Sequence, residues 1–201
     1  MMNVESNSDR VNTAESFVRD RLSGKRYAHT LRVADAAEKL ANIHGIDRDR
    51  TRLAALLHDA ARELKRGDYL RLAGDWGLPI GEHERNDPKL LHGPVAAELA
   101  RRKLGLDDQE VLEAIRIHTI GKPQMGQIAL AVYVADKIEP ARDYPSVGRL
   151  RELATKDLKL AAAEAFKRTR SHNEERGKNT HPASLRTLEW LEETVDSRVD
   201  V

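Results

Sequence analysis

Residues 54–62 read Ala54-Ala55-Leu56-Leu57-His58-Asp59-Ala60-Ala61-Arg62. Leu53, Leu56, Leu57, Ala60, Ala61 and Leu64 recur at i, i+3, i+4, i+7, i+8 and i+11, the pattern of a helix buried over a broad face. Into that pattern the chain sets two adjacent side chains of metal-ligand type. Neighbouring helical residues point about 100° apart, so His58 and Asp59 share no narrow stripe, yet both can reach one ion beside the core. A carboxylate there is costly unless it is paired or metal-bound. Taken alone, the pair also reads as an Asp ion-paired to Arg62 next to a satisfied core histidine. The rest of the chain decides between these readings.

The 201 residues suit one domain that buries about 70% of its surface. Aromatics are only 4% and hydrophobic residues 40%, chiefly Ala, Leu, Val and Ile, a mixture that favours packed helices over a sandwich or barrel. With 34 basic and 33 acidic residues the net charge is +1, so no global field draws the chain to nucleic acid or an anionic membrane. Any anion must be caught locally. The absence of cysteine excludes disulfides, thiolate zinc sites and a cysteine nucleophile, leaving His and carboxylates to hold a metal. The first ten residues are polar and no stretch reaches membrane-span length, so the expected location is the cytoplasm, without membrane contact.

Periodicity and capping residues predict an all-α single domain of about seven to nine helices, with residues 1–22 as tail and short docking helix, 23–195 as the domain and 196–201 as a second tail. Residues 1 to about 12 read as a mobile segment, and Thr13 as the cap of the docking helix. A helix over 25–44 stops at Gly45, and Asp47 opens the helix of His58 and Asp59, which runs to about residue 66. A shorter helix over 68–76 closes at Gly77. Residues 80–92 show no clear period and read as a lid or binding loop. Gly93-Pro94 starts the next helix, which Gly105 ends. Asp107 or Asp108 caps a helix carrying Val111, Leu112, Ile115 and His118, and Ile128, Val132 and Asp136 align at i, i+4 and i+8. Helices over about 146–154 and 156–176 follow, then one opened by Pro182.

His29, His58, Asp59, His92, His118 and Asp136 thus fall on inner faces or ends of helices. A lone His on an apolar face is more often structural than a ligand, but the repetition reverses that expectation. The N/O donor set suits iron, manganese, cobalt or zinc better than calcium. His92 at a helix start is also suited to anions. His44, His83 and His172 read as surface residues, Trp76 as a core anchor or an adenine platform, and Lys167-Arg168-Thr169-Arg170 as a solvated helix face rather than a nucleic-acid site.

The order His29, Leu56-Leu57-His58-Asp59, His92-Gly93-Pro94, His118-Thr119 and Ala135-Asp136 resembles the HD-domain metal-dependent phosphohydrolases. Arg26-Tyr27-Ala28-His29-Thr30, Leu90-Leu91-His92-Gly93-Pro94-Val95 and Ile138-Glu139-Pro140-Ala141-Arg142-Asp143-Tyr144-Pro145 narrow the resemblance to the YqeK-type symmetrical diadenosine tetraphosphate hydrolases, over residues 25–192. His181-Pro182 after a Gly-Lys loop supports it. Ile120 and Gln124 depart from that pattern, where a second Thr and a Gly are more usual.

The resemblance implies an HD-type bundle with His29, His58, Asp59 and Asp136 as ligands of iron or a similar divalent or trivalent ion. His92 and His118 then face the phosphates or complete a second metal site. Arg26, Lys137, Arg142, Asn179 and His181 contact the nucleotide; for Arg26, Lys137 and Arg142 a solvated ion pair is the competing reading. The implied reaction is attack of metal-bound hydroxide, on the metal held by Asp59, on an inner phosphorus of a dinucleoside polyphosphate, releasing two ADP, with His92 or His118 as proton donor. An HD-type deoxynucleotide phosphatase or triphosphohydrolase and a non-catalytic nucleotide-binding regulator stand as alternatives. Oligomeric state stays open, a homodimer included.

Overall fold

The computed structural model describes residues 7–196. Its helices are α1 (Asn7–Arg19), α2 (Gly24–His44), α3 (Arg48–Leu57), α4 (Arg66–Asp75), α5 (Glu82–Asn86), a 3₁₀ turn (Pro88–Leu91), α6 (His92–Leu104), α7 (Gln109–Ile117), α8 (Gln127–Ile138), α9 (Val147–Lys156), α10 (Leu158–Glu175) and α11 (Pro182–Asp196). Among the described residues there is no strand, in line with the composition's preference for packed helices. Helix α8 forms the axis: α2, α3, α7 and α10 pack on it, and residues 128–136 are all buried. Tyr133 of α8 stacks on Phe166 of α10 with centroids 4.1 Å apart, tying the second half of the chain to the first.

The capping signals place most helix ends. Ser23 and Asp47 accept from Arg26 N and Arg50 N, and Asp108, not Asp107, caps α7. Gly45 and Gly105 stop α2 and α6 at φ +66° and +64°, where a Cβ is disfavoured. Gln124, at the position where the resemblance leads one to expect Gly, sits at φ +60°. The left-handed region costs a side chain there about 1–2 kcal/mol.

Several expectations are corrected. Eleven α-helices occur among the described residues, not seven to nine. Two short elements fill residues 80–92, where a loop was expected. They persist because Glu84 Oε2 accepts from Gly81 N (2.8 Å) and Asp87 Oδ1 from Lys89 N (3.2 Å). One-turn elements carry no readable period. Residues 7–12 belong to α1, so Thr13 lies inside that helix rather than capping it; α1 packs on α3. Residues 1–6 and 197–201, the outer parts of both expected tails, lie outside the described residues.

Helix α3 ends at Leu57 rather than near residue 66. Beyond it the chain winds more tightly, with Ala60 N donating to Leu57 O (3.1 Å) and Arg62 N to Asp59 O (2.8 Å). Side chains replace the lost helical bonds. His58 Nδ1 reaches Ala55 O at 2.5 Å, and the buried Tyr69 donates its Oη–H to the carbonyls of Ala61 and Arg62, each at 2.9 Å. His44 is half-buried, its Nε2 2.7 Å from Ala154 O on α9, and so is not a free surface residue. Trp76 packs against the core beneath Arg102.

Candidate metal and active site

Six side chains converge from five places on the chain, most of them helix ends. His29 lies in α2, Asp136 in the last turn of α8, His58 and Asp59 just past α3, His92 at the start of α6 and His118 at the end of α7. Glycine permits the last junction: a Cβ at Gly93 would stand 2.6 Å from Arg116 O, so only Gly lets the start of α6 approach the end of α7. His92 and His118 thereby meet, Nε2 to Nε2, at 2.9 Å.

Asp59 stands at the centre. Its Oδ1 faces Nε2 of His92 (3.3 Å) and His118 (3.7 Å), and its Oδ2 faces Nε2 of His58 (3.6 Å) and His29 (3.9 Å). Asp136 Oδ1 lies 3.2 Å from His29 Nε2. The other nitrogen of every imidazole is already committed. Nδ1 of His58, His92 and His118 lies 2.5, 2.6 and 2.8 Å from the carbonyls of Ala55, Lys89 and Ile115, and Nδ1 of His29 lies 3.2 Å from Glu139 Oε1. For His29, His58 and His118 those oxygens only accept, which assigns the proton to Nδ1 and leaves Nε2 as a lone pair. Three lone pairs then face two carboxylates.

Such an arrangement is unfavourable without a cation among the atoms. Nε2 of His29 and of His58 are buried without a hydrogen-bond partner, the mark of atoms reserved for a ligand. The donor atoms of His29, His58 and Asp136, and those of His58, Asp59 and His118, each lie within 4.8 Å of one another. The residues present therefore fit a metal ion, and the N/O set suits iron, manganese, cobalt or zinc. Electrostatics agrees with that fit. Burial pushes His58 and His118 down, His118 well below the usual imidazole range, so both stay neutral donors. Against burial, which raises it, the neighbouring cations Lys137 and Arg142 hold the Asp136 carboxyl well below its ordinary range.

Cations ring this cluster. Arg26 Nη1 lies 3.0 Å from Asp59 Oδ2, Lys137 Nζ 2.8 Å from Asp136 Oδ2 and Arg142 Nη2 2.7 Å from Asp136 Oδ1. Arg62, which the simplest reading paired with Asp59, instead sets Nη1 3.2 Å from His92 Nδ1. These four cations and the two aspartates line an open cleft of about 300 Å³. Positive charge exceeds negative, so the cleft favours an anion beside the candidate metal ligands. Asn179 is exposed, and His181 pairs with Glu84 (3.2 Å) and lies edge-on to His83; neither lines this cleft.

Sequence reasoning missed Arg62, Thr119, Glu139 and Arg32 as parts of the site. Thr119 Oγ1 lies 3.2 Å from Nε2 of both His92 and His118, and its place beside His118 was the signal available. Buried Glu139 orients His29 and is itself held by Arg32 Nε at 2.7 Å. Nothing local announces a pair 107 residues apart.

An all-α bundle that brings histidines and aspartates together at helix ends, inside a positive cleft, defines a hydrolase scaffold of the His-Asp class. The HD domain family model matches residues 26–141, the span from Arg26 to the residue before Arg142. The symmetrical bis(5'-nucleosyl)-tetraphosphatase of Bacillus subtilis is 34% identical over 178 residues, 89% of this chain and 95% of that protein. Its Staphylococcus aureus namesake is 35% identical over 153 residues, 76% of this chain and 75% of the other. A crystal structure from Clostridium acetobutylicum, described as a predicted HD superfamily hydrolase involved in NAD metabolism, superposes with a TM-score of 0.88 at 32% identity, covering 91% of this chain and 97% of that one. The chain belongs to the HD-domain family and, within it, to the family of the symmetrical bis(5'-nucleosyl)-tetraphosphatases.

Proposed function

We propose that this protein hydrolyses diadenosine tetraphosphate symmetrically to two ADP. The observation that carries the substrate is the match over 95% of the length of the B. subtilis tetraphosphatase; the convergent Nε2 lone pairs support the chemistry. His29, His58, Asp59 and Asp136 would hold an ion, iron first among the candidates, with His92 and His118 available to a second. When bound, the ion supplies Lewis acidity and a more acidic water.

The residues of the chain do the rest. Arg26, Arg62, Lys137 and Arg142 bind the phosphates and offset the charge that grows on the departing ADP. Water adds to one inner phosphorus, the bridging oxygen between the inner phosphates leaves with the first ADP, and the second ADP keeps the added oxygen. His92 or His118, whose Nε2 atoms meet at 2.9 Å beside Asp59, would deliver the proton to the leaving oxygen. No described helix is long and apolar enough to cross a membrane, in keeping with a cytoplasmic enzyme.

Reconstitution with ferrous, manganese, cobalt or zinc ion, followed by chromatography of the products, tests this reading. The expected result is ADP alone, with Asp59→Asn at least about 10³-fold slower. ATP plus AMP would overturn the cleavage position, and no turnover with any ion would overturn the substrate.

A further inference from the structure

We propose that the groove between Tyr144, Arg168 and His172 seats one nucleoside of the dinucleotide, with the Arg168 guanidinium as the plane on which its base stacks. This rests on the tetraphosphatase reading and names a binding site within it. A symmetrical substrate carries a nucleoside at each end of its phosphates, so a cleft that holds the phosphates needs an exit on either side. Two cavities adjoin it. One, of about 230 Å³, shares Lys137 and Arg142 with the cleft and continues past Tyr144 and Arg168 to His172. The other, of about 400 Å³, shares Arg26 and Arg142.

Only the first offers a plane for a base. The Arg168 guanidinium carbon lies 3.8 Å from the Tyr144 ring centroid, a stacked geometry that sets its orientation, and Nη1 donates to Pro145 O at 3.3 Å. Arg168 forms no ion pair among the described residues, and no carboxylate lines its groove. The groove therefore keeps the positive charge that a nucleoside phosphate needs. Its wall is also preorganised. Tyr144 Oη donates to Lys137 O at 2.8 Å, and Arg151 donates to the carbonyls of Ile138, Glu139 and Arg142 at 3.0–3.1 Å, fixing the turn that carries Arg142 and Tyr144. Guanidinium planes stack on any base, so such a seat accepts a nucleoside without reading its edge. The larger cavity has no Tyr, Phe or Trp in its wall, carries Glu63 and Glu139, and has Arg26 and Arg32 already engaged by carboxylates.

The test is steady-state kinetics of metal-loaded wild type, Arg168→Ala and Arg168→Lys on diadenosine tetraphosphate, with inorganic tripolyphosphate as a competitive inhibitor. Loss of the stacking plane should raise KM about tenfold in both variants. Both kcat and the tripolyphosphate inhibition constant should stay within about twofold of wild type. Lysine keeps the charge and lacks the plane, so a wild-type KM in Arg168→Lys would overturn the proposal. An unchanged KM in Arg168→Ala would do the same, as would tripolyphosphate inhibition that weakens in step with KM, which marks Arg168 as a phosphate contact. Turnover by wild type with unaffected variants removes the nucleoside seat alone; absence of turnover by wild type removes the tetraphosphatase reading and the seat with it.

Discussion

Asp59 divides the site between its two oxygens, Oδ2 toward His29, His58 and Arg26 and Oδ1 toward His92 and His118. At this scale the sequence was most readable where identity and neighbours coincide. An adjacent His and Asp within an apolar stripe, and a His at each of two further helix ends, are visible one residue at a time. Arg62 was visible only as a partner for Asp59 in the simplest reading, because its reach to His92 depends on the tight winding after Leu57. Arg168 looked like a solvated position in a charged run until the fold set it over Tyr144. Asp108 gives a prediction separate from the chemistry. The side-chain bond from Arg50 is the largest cause that holds its carboxyl below the ordinary range. A depressed folded pKa contributes stability above the unfolded value near 3.9, and that stability is lost as pH falls through the folded pKa. Asp108→Asn keeps a capping oxygen and removes the charge, so denaturant melts should show a loss of about 1 kcal/mol at pH 7. The difference should shrink below about pH 4. A pH-independent difference would mean that the cap, not the ion pair, is involved.

Elements fix what residues alone do not. Helices α2 and α10 were readable because each repeats its apolar stripe over three turns or more and is bounded by a glycine or a capping Asp. Helix α5 and the 3₁₀ turn were not, since a single turn leaves no repeat to count. The end of α3 was hidden for a different reason. Apolar residues continue to Leu64 at helical spacing, while the bonds that end the helix come from His58 itself and from Tyr69 on the next helix. The approach of α6 to α7 depends on Gly93. Helix propensity alone makes Gly93→Ala stabilising by up to about 1 kcal/mol. The 2.6 Å approach to Arg116 O makes it destabilising by about 1–3 kcal/mol, because backbone must shift. We expect the second outcome in a thermal melt, together with an activity loss of at least about tenfold as His92 and His118 part. A more stable, fully active Gly93→Ala protein would contradict the proposed coupling of these helix ends.

For the whole molecule, the family resemblance was carried by short motifs spread over residues 26–145, and the bundle around α8 is what brings them to one point. Composition and periodicity reached an all-helical fold with a metal-suited donor set; contacts between residues far apart in sequence, such as Arg32 with Glu139, emerge only from that bundle. Because the proposed ligands of the first ion come from α2, the turn after α3 and the last turn of α8, an ion bound there would tie these three parts of the bundle together. Ion present at about 100 times its Kd should stabilise the protein by about 2.7 kcal/mol. For a chain of this size that is a rise of about 5–10 °C in Tm, reversed by chelation. Asp59→Asn should lose most of the rise; an equal rise in the variant would place the ion elsewhere.

Attack by water at an inner phosphorus of diadenosine tetraphosphate in this cleft is read out by running the metal-loaded reaction in ¹⁸O-labelled water and locating the label by mass spectrometry of the products. The expected product is ADP alone, half of it carrying a single ¹⁸O on the terminal phosphate and the other half unlabelled. Label on the phosphate next to the ribose, or label in ATP or AMP, would contradict it.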